Sequence, residues 1–186
     1  MITLQPKKGN LLIAEPSIIG DMSFNRSIVL LADHTNEGSI GFILNKPLDF
    51  TLNDIIPSIN AKFKVYNGGP VEQDNLYFIH KAPDLIPNSI EISLGIYWGG
   101  DFNQVAELIS NGELTESDIK FFLGYSGWTT NQLEQELKLS SWVVTENIYK
   151  KAIIEKDYQS FWKEKMLELG GEYSIWSNAP ENPSFN

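Results

Sequence analysis

The sequence predicts an α+β domain rich in sheet, and three observations carry that expectation. Short, continuous apolar runs at 11–14, 28–32, 40–44 and 76–79 dominate the first half. Segments with helical spacing cluster in the second half. No linker, internal repeat or low-complexity stretch divides the 186 residues, a length that suits one domain spanning 1–186.

The runs are bounded by turn residues and rich in Ile, Val, Leu and Phe. Continuous rather than alternating apolarity predicts strands covered on both faces. The stretch Asp33-His34-Thr35-Asn36-Glu37-Gly38 has the chemistry and length of a hairpin loop. Asn67-Gly68-Gly69-Pro70 predicts a tight turn. Thr51-Leu52-Asn53-Asp54 reads as a short capped turn stopped by Pro57.

Three helices are expected further on. Asp101 can cap a helix in which Phe102, Val105, Ala106, Leu108 and Ile109 share a face, ended by Gly112. Thr129 and Gln132 have capping-box spacing and would open a helix presenting Leu133 and Leu137. Asp157 would open the last, with Tyr158, Phe161, Trp162, Met166 and Leu169 on one side before Gly170-Gly171. Strands are expected between them at 119–124, 142–145 and 173–176.

Composition excludes several function classes. The chain is 42% hydrophobic and 20% charged, enough for a proper core. It has no cysteine, so disulfides, thiolate catalysis and Cys-based metal sites are out. No run approaches the roughly 18 apolar residues of a membrane span, and no secretory signal is visible, so a cytoplasmic address is expected. The formal net charge is −10. Residues 1–93 carry 7 basic and 10 acidic side chains, and residues 94–186 carry 7 and 14. Neither half has the positive excess that a nucleic-acid backbone demands, which disfavours direct DNA or RNA binding.

Several segments, in order, resemble one family. They are Gly9-Asn10-Leu11-Leu12-Ile13-Ala14, Phe24, 26–31, His34, Gly38 and 41–47. They continue through Tyr66-Asn67-Gly68-Gly69-Pro70-Val71, His80, Gly124-Tyr125-Ser126-Gly127-Trp128, Gln132-Leu133-Glu134, Glu136-Leu137 and Ser141-Trp142 to the closing Pro183-Ser184 and Asn186. The set is similar to the AlgH (YqgE) family of bacterial proteins. The resemblance implies a bifurcated, strongly curved sheet that forms a pseudo-barrel flanked by helices. It implies no established activity. The label "transcriptional regulator" attaches to some members through an association with alginate production. This acidic sequence, without a basic helix-turn-helix, gives that label no physical support.

Candidate chemistry is sparse. Ser126, in Gly124-Tyr125-Ser126-Gly127-Trp128, invites comparison with a nucleophile elbow. That turn needs a small residue two positions after the serine, where this chain has Trp128, and no histidine follows residue 80. A strand-to-helix corner is the simpler expectation. His34 and His80 are the only histidines, and no His-x-His or His-Glu-x-x-His spacing exists, so no metal site is expected. Both match positions in the resemblance, and polar loop residues are apt to carry function. Arg26 could grip a carboxylate or phosphate, or form a structural ion pair. Asn45, directly before Lys46-Pro47, could bind a ligand or cap the turn. Gly68-Gly69-Pro70 lacks the phosphate-loop pattern. Among the tryptophans, Trp128 has the best claim to an exposed or pocket position.

The binding candidates are therefore Arg26, His34, Asn45, His80 and Trp128, with no cofactor and no assigned catalytic residue. The favoured function is non-enzymatic: recognition of a small molecule or a protein partner in a regulatory role. The alternative is a hydrolase-like enzyme with His34 or His80 as general base.

Overall fold

The computed structural model describes residues 4–16 and 22–180. The tail motif Pro183-Ser184 and Asn186 lies outside the described residues.

The chain opens with three antiparallel strands, β1 (Leu11–Ala14), β2 (Ile28–Thr35) and β3 (Gly38–Ile43), the last two joined by the expected hairpin. Its turn is only Asn36-Glu37, because Asp33, His34 and Thr35 pair with β3 as strand. A short strand β4 (Pro47–Thr51) leads into the single turn α1 (Leu52–Ile55). There the Thr51 N–H donates to Asp54 Oδ2 at 2.7 Å, closing the helix start. Next come β5 (Lys64–Asn67), β6 (Val71–His80), β7 (Ile90–Ser93) and β8 (Ile96–Trp98). Helix α2 (Phe102–Ser110) follows, capped as expected by Asp101, whose Oδ1 accepts from the N–H groups of Asn103 and Gln104. The long strand β9 (Ile119–Thr129), helix α3 (Gln132–Lys138) and strand β10 (Trp142–Thr145) come next. A 3-10 segment (Lys150–Glu155), helix α4 (Phe161–Leu169) and the short α5 (Glu172–Trp176) complete the described residues.

Among the described residues the sheet has ten strands, eight of them in the order β10-β1-β2-β3-β9-β6-β8-β7, with β4 and β5 on a branch. It forks at β9. Residues 126–129 of β9 pair with β3, while residues 121–123 pair in parallel with β5, itself joined to β4. The other edge of β9 carries β6. No pair joins β10 to β7 among the described residues, so the sheet branches but stays open.

Three apolar clusters explain why the strand runs are continuous rather than alternating. Leu11, Ile13, Ile28, Leu30 and Phe42 pack with Phe161 and Trp162 of α4. From the same strands, Leu12, Ala14, Val29 and Leu31 pack on the opposite side with Leu133 of α3 and with Trp128 and Trp142. A third cluster gathers Val65, Phe78 and Phe121 under α2. Each fully buried side chain of this size contributes roughly 1.5–3 kcal/mol of transfer free energy.

Three local expectations are corrected. Residues 173–176 are helical, in α5, with Ile175 and Trp176 exposed. Their alternation of apolar and polar residues matched a strand but meets no neighbouring strand. Helix α4 starts at Phe161 after Ser160, because Asp157 spends its carboxylate on the Gln159 N–H in a local turn. Most consequentially, Gly124–Gly127 is no corner. Strand β9 continues through it to Thr129, and α3 begins only after Asn131, which is left-handed with φ 62°. Half of the expected capping box survives: the Thr129 N–H donates to Gln132 Oε1 at 3.0 Å.

Candidate functional site

The five residues singled out from sequence fall in three separate places. Arg26 and Asn45 stand together. Asn45 Oδ1 accepts from the Ile28 N–H at 2.9 Å, and its Nδ2 donates to the Arg26 carbonyl at 2.9 Å. The amide thus splices the turn before β2 to the end of β3. The Arg26 guanidinium lies 5.0 Å from the Trp162 ring centroid and donates to the Ala179 carbonyl. It does not pair with Asp33, whose Oδ1 accepts the His34 N–H. A cavity of about 740 Å³ opens beside these residues, but Asn45 is committed to backbone partners.

His34 and Trp128 share a row across the sheet, through Ser39 of β3. His34 Nδ1 lies 2.7 Å from Ser39 Oγ, and Nε2 lies 3.8 Å from Glu134 Oε1 on α3. Of the exposed or pocket position expected for Trp128, the structure gives the second: the residue is 5% accessible and lines a cavity of about 440 Å³ with Asp33, Ser39 and Gly127. Its indole N–H donates to Glu136 Oε2 at 2.8 Å, and Trp142 does the same at the same oxygen. Phe24 packs on both rings. The indoles are buried because the helix brings them a carboxylate that satisfies both polar edges.

His80 sits alone on β6 and is fully buried. Its Nδ1 accepts the Ala82 N–H at 3.2 Å, so Nε2 carries the proton and donates to the Gly99 carbonyl at 3.1 Å. Burial pushes its pKa below the usual histidine value. Ser126 is also fully buried and donates its hydroxyl to the Gly68 carbonyl at 3.0 Å. That carbonyl also accepts the Ile43 N–H at 2.9 Å, so the serine ties the fork of the sheet.

A different group has the stronger chemical character. Lys120, the second residue of β9, is 5% accessible. It pairs across the sheet with Ile79 of β6, so it points to the side on which Ile79, Tyr66 and Phe122 pack. Its Nζ lies 3.8 Å from the Tyr66 ring centroid, and among the described residues it has no hydrogen bond or ion pair. It lines a cleft of about 400 Å³ with Lys64, Tyr66, Glu116, Lys156 and Tyr158. Burial drives the Lys120 pKa down to about 7, with the Glu116 carboxylate opposing the shift. The same burial helps raise the Tyr66 phenol to about 12. A contrast within the chain is instructive. Lys165 is as deeply buried, yet its Nζ sits 2.6 Å from Glu168 Oε2.

Around Lys120 the other charges are largely spoken for. Lys156 pairs with Glu164, Glu155 lies 3.5 Å from Lys81, and Glu116 accepts the Lys64 N–H at 3.0 Å. The Lys64 ammonium lies 5.8 Å from the Tyr158 ring centroid. The cleft therefore presents an amine near neutrality at its floor, a cation at its wall and aromatic faces between them, with the carboxylates of Glu116, Glu155 and Asp157 also in its lining. Such a combination of cavity, burial and shifted titration marks functional sites more often than structural ones. Sequence inspection missed it. The available signal was a lysine interrupting the run Ile119-Lys120-Phe121-Phe122-Leu123. No group of acidic and histidine side chains able to hold a metal occurs among the described residues. No helix there is long and apolar enough to cross a membrane.

Comparison with known proteins decides the family. The AlgH-like family model, DUF179, matches residues 11–174. The chain belongs to the AlgH-like family. A UPF0301 protein of Bacteroides thetaiotaomicron is 43% identical over 185 residues, covering 97% of this chain and 92% of the relative. One from Chlorobium phaeobacteroides is 38% identical over 181 residues, covering 97% and 96%. In structure, the AlgH protein of Pseudomonas aeruginosa aligns with a TM-score of 0.72 at 23% identity, covering 97% and 98% of the two chains. The DIP2367 protein of Corynebacterium diphtheriae aligns at 0.75 and 21%, covering 96% and 95%. These structures share the AlgH-like fold, a mixed α/β arrangement with a large, mainly antiparallel sheet, and at such identities the likeness speaks to fold alone.

Proposed function

We propose that this AlgH-like protein is a non-enzymatic binding protein of the cytoplasm, built as one unit over 1–186. In it the forked sheet curls toward a pseudo-barrel, and the cleft at Lys120 receives a small carboxylate-bearing molecule. The observation that carries this proposal is the Lys120 amine on the cleft floor, in a residue only 5% accessible, 3.8 Å from the Tyr66 ring centroid and with no hydrogen bond or ion pair among the described residues. A buried cation without a partner is costly to its own fold. An incoming carboxylate supplies the missing partner and raises the proton affinity of the amine. Binding by such a ligand therefore takes up protons between pH 7 and 9. The test is calorimetric titration with a panel of small mono- and dicarboxylates in buffers of different ionisation enthalpy. Binding that is at least about 10-fold weaker in Lys120→Met, a loss of about 1.4 kcal/mol, with proton uptake in the parent protein, supports the proposal. Equal affinities in the two proteins would sink it.

One observation favours the enzyme alternative: the Ser39, His34 and Glu134 side chains form a line. Against it, the 3.8 Å gap to Glu134 is too long for a hydrogen bond. Ser39 lines the cavity of about 440 Å³, but among the described residues no second charged group pairs with His34 to complete the line. An ester hydrolysis that Ser39→Ala abolishes would reverse this preference.

A further inference from the structure

Resting on the binding proposal, the inference concerns what the carboxylate-bearing ligand carries as its second group. We infer that Lys120 is a covalent capture residue, forming an imine with a small oxo acid, an aldehyde or ketone that also bears a carboxylate, seated between β5, the start of β9 and the segment 154–158.

Geometry supplies the two contacts such a molecule needs. Lys120 Nζ lies at the floor, and among the described residues no carboxylate or carbonyl occupies its donors. Lys64 stands at the wall, its ammonium forming no ion pair among the described residues and lying 5.8 Å from the Tyr158 ring centroid. A carboxylate placed on Lys64 presents an adjacent carbonyl carbon toward the floor. Ring faces of Tyr66 and Tyr158, 5.9 Å apart in an edge-to-face pair, form an apolar wall beside it. A fully protonated lysine has no lone pair to offer. With its pKa near 7, about half of the Lys120 amine is neutral at neutral pH, whereas an ordinary lysine is neutral at less than about one part in a thousand. Nucleophilic lysines are made this way, by desolvation.

The chemistry balances without an oxidant or reductant. The Nζ lone pair attacks the carbonyl carbon, and a nitrogen-bound proton passes through cleft water to the carbonyl oxygen, giving a carbinolamine. Protonation of its hydroxyl lets the nitrogen lone pair expel one water. Loss of the remaining N–H proton gives the neutral imine. One amine and one carbonyl thus become one imine and one water.

The experiment uses the full chain with glyoxylate and cyanoborohydride, which reduces an imine to a stable carboxymethyl-lysine, followed by peptide mapping. Lys120 should be modified at least about 10-fold faster than any other lysine. Its advantage over the other lysines should persist up to about pH 7 and shrink toward pH 10, the trapping step's own pH dependence being common to all sites. Lys64→Ala should slow the Lys120 reaction several-fold, and denaturation should abolish the preference. Uniform modification of all lysines overturns the inference. A parallel titration with glycolate, which has the carboxylate but no carbonyl, followed by amide resonances of β5 and β9, separates the two proposals. Glycolate shifts without preferential glyoxylate trapping refute imine formation and keep the binding site. Neither response refutes both. Because mapping is done on the parent chain, the outcome does not depend on a variant folding.

Discussion

Ser126 shows how a suggestive residue becomes a structural one. Its hydroxyl is buried and donates to a carbonyl, and no histidine stands beside it. What it does is satisfy the Gly68 carbonyl together with the Ile43 N–H, where β3, β9 and the 67–70 turn meet. The glycines around it are required for the same reason. A Cβ on Gly69 would stand 2.2 Å from the Tyr125 carbonyl, and one on Gly124, at φ 71°, would stand 2.5 Å from the Gly69 oxygen. Backbone packs on backbone there, and only glycine permits it. Ser126→Ala should therefore lower stability by about 1–2 kcal/mol in urea melts, through one lost buried hydrogen bond. Ligand binding at the Lys120 cleft should be unchanged. A loss of binding with intact stability would restore a functional role to the serine.

Helix α3 is held to the sheet by an acid and two indoles rather than by apolar contact alone. Glu136 Oε2 accepts from both Trp128 and Trp142, while Gln132 Nε2 reaches Oε1 at 3.0 Å. Glu136→Ala strands two indole N–H groups in the cluster beneath, and should cost about 2–4 kcal/mol at roughly 1–2 each. Thermal melts read by tryptophan fluorescence would check it; a cost under about 0.5 kcal/mol means the helix is anchored by Leu133. At this scale the sequence was informative where elements are covered on both faces. Strands β1, β2, β3 and β10, and helix α2 with its Asp101 cap, were legible because burial writes itself as continuous or periodic apolarity. Strands β4, β5, β7 and β8 were not: they are short and partly exposed, with side chains such as Asp49, Lys64 and Glu91 that any loop could carry. The site was legible only as an anomaly. Lys120 marked itself as a charge in an apolar run, but its lack of a partner depends on Tyr66 and the 150–158 segment arriving from far along the chain.

Stability of the whole molecule should carry the imprint of its displaced titrations, and their signs can be worked out. Lys120 has a folded pKa near 7 against about 10.4 in the unfolded chain, so between those values the unfolded state holds more protons. Stability must then rise with pH across that window, by as much as ~5 kcal/mol at about 1.4 kcal/mol per pKa unit. His80 acts in the same sense lower down. Its pKa is depressed, so the stability it provides is complete above about pH 6.5 and is lost as pH falls from there. Tyr66 and Tyr173 act oppositely. Both are raised to about 12, so above about pH 10 the unfolded phenols ionise first and stability declines. Together these groups place the stability maximum near pH 9–10, well above the neutral range common for globular proteins. Urea denaturation from pH 6 to 11 would trace this curve. Lys120→Met removes the buried cation while keeping most of its volume. It should be more stable than the parent at pH 7, and the difference should vanish near pH 10. A parent curve flat between pH 7 and 10, or a constant offset for the variant, would mean that Lys120 is solvated in the folded protein. The cleft would then lose the neutral amine on which its proposed chemistry depends.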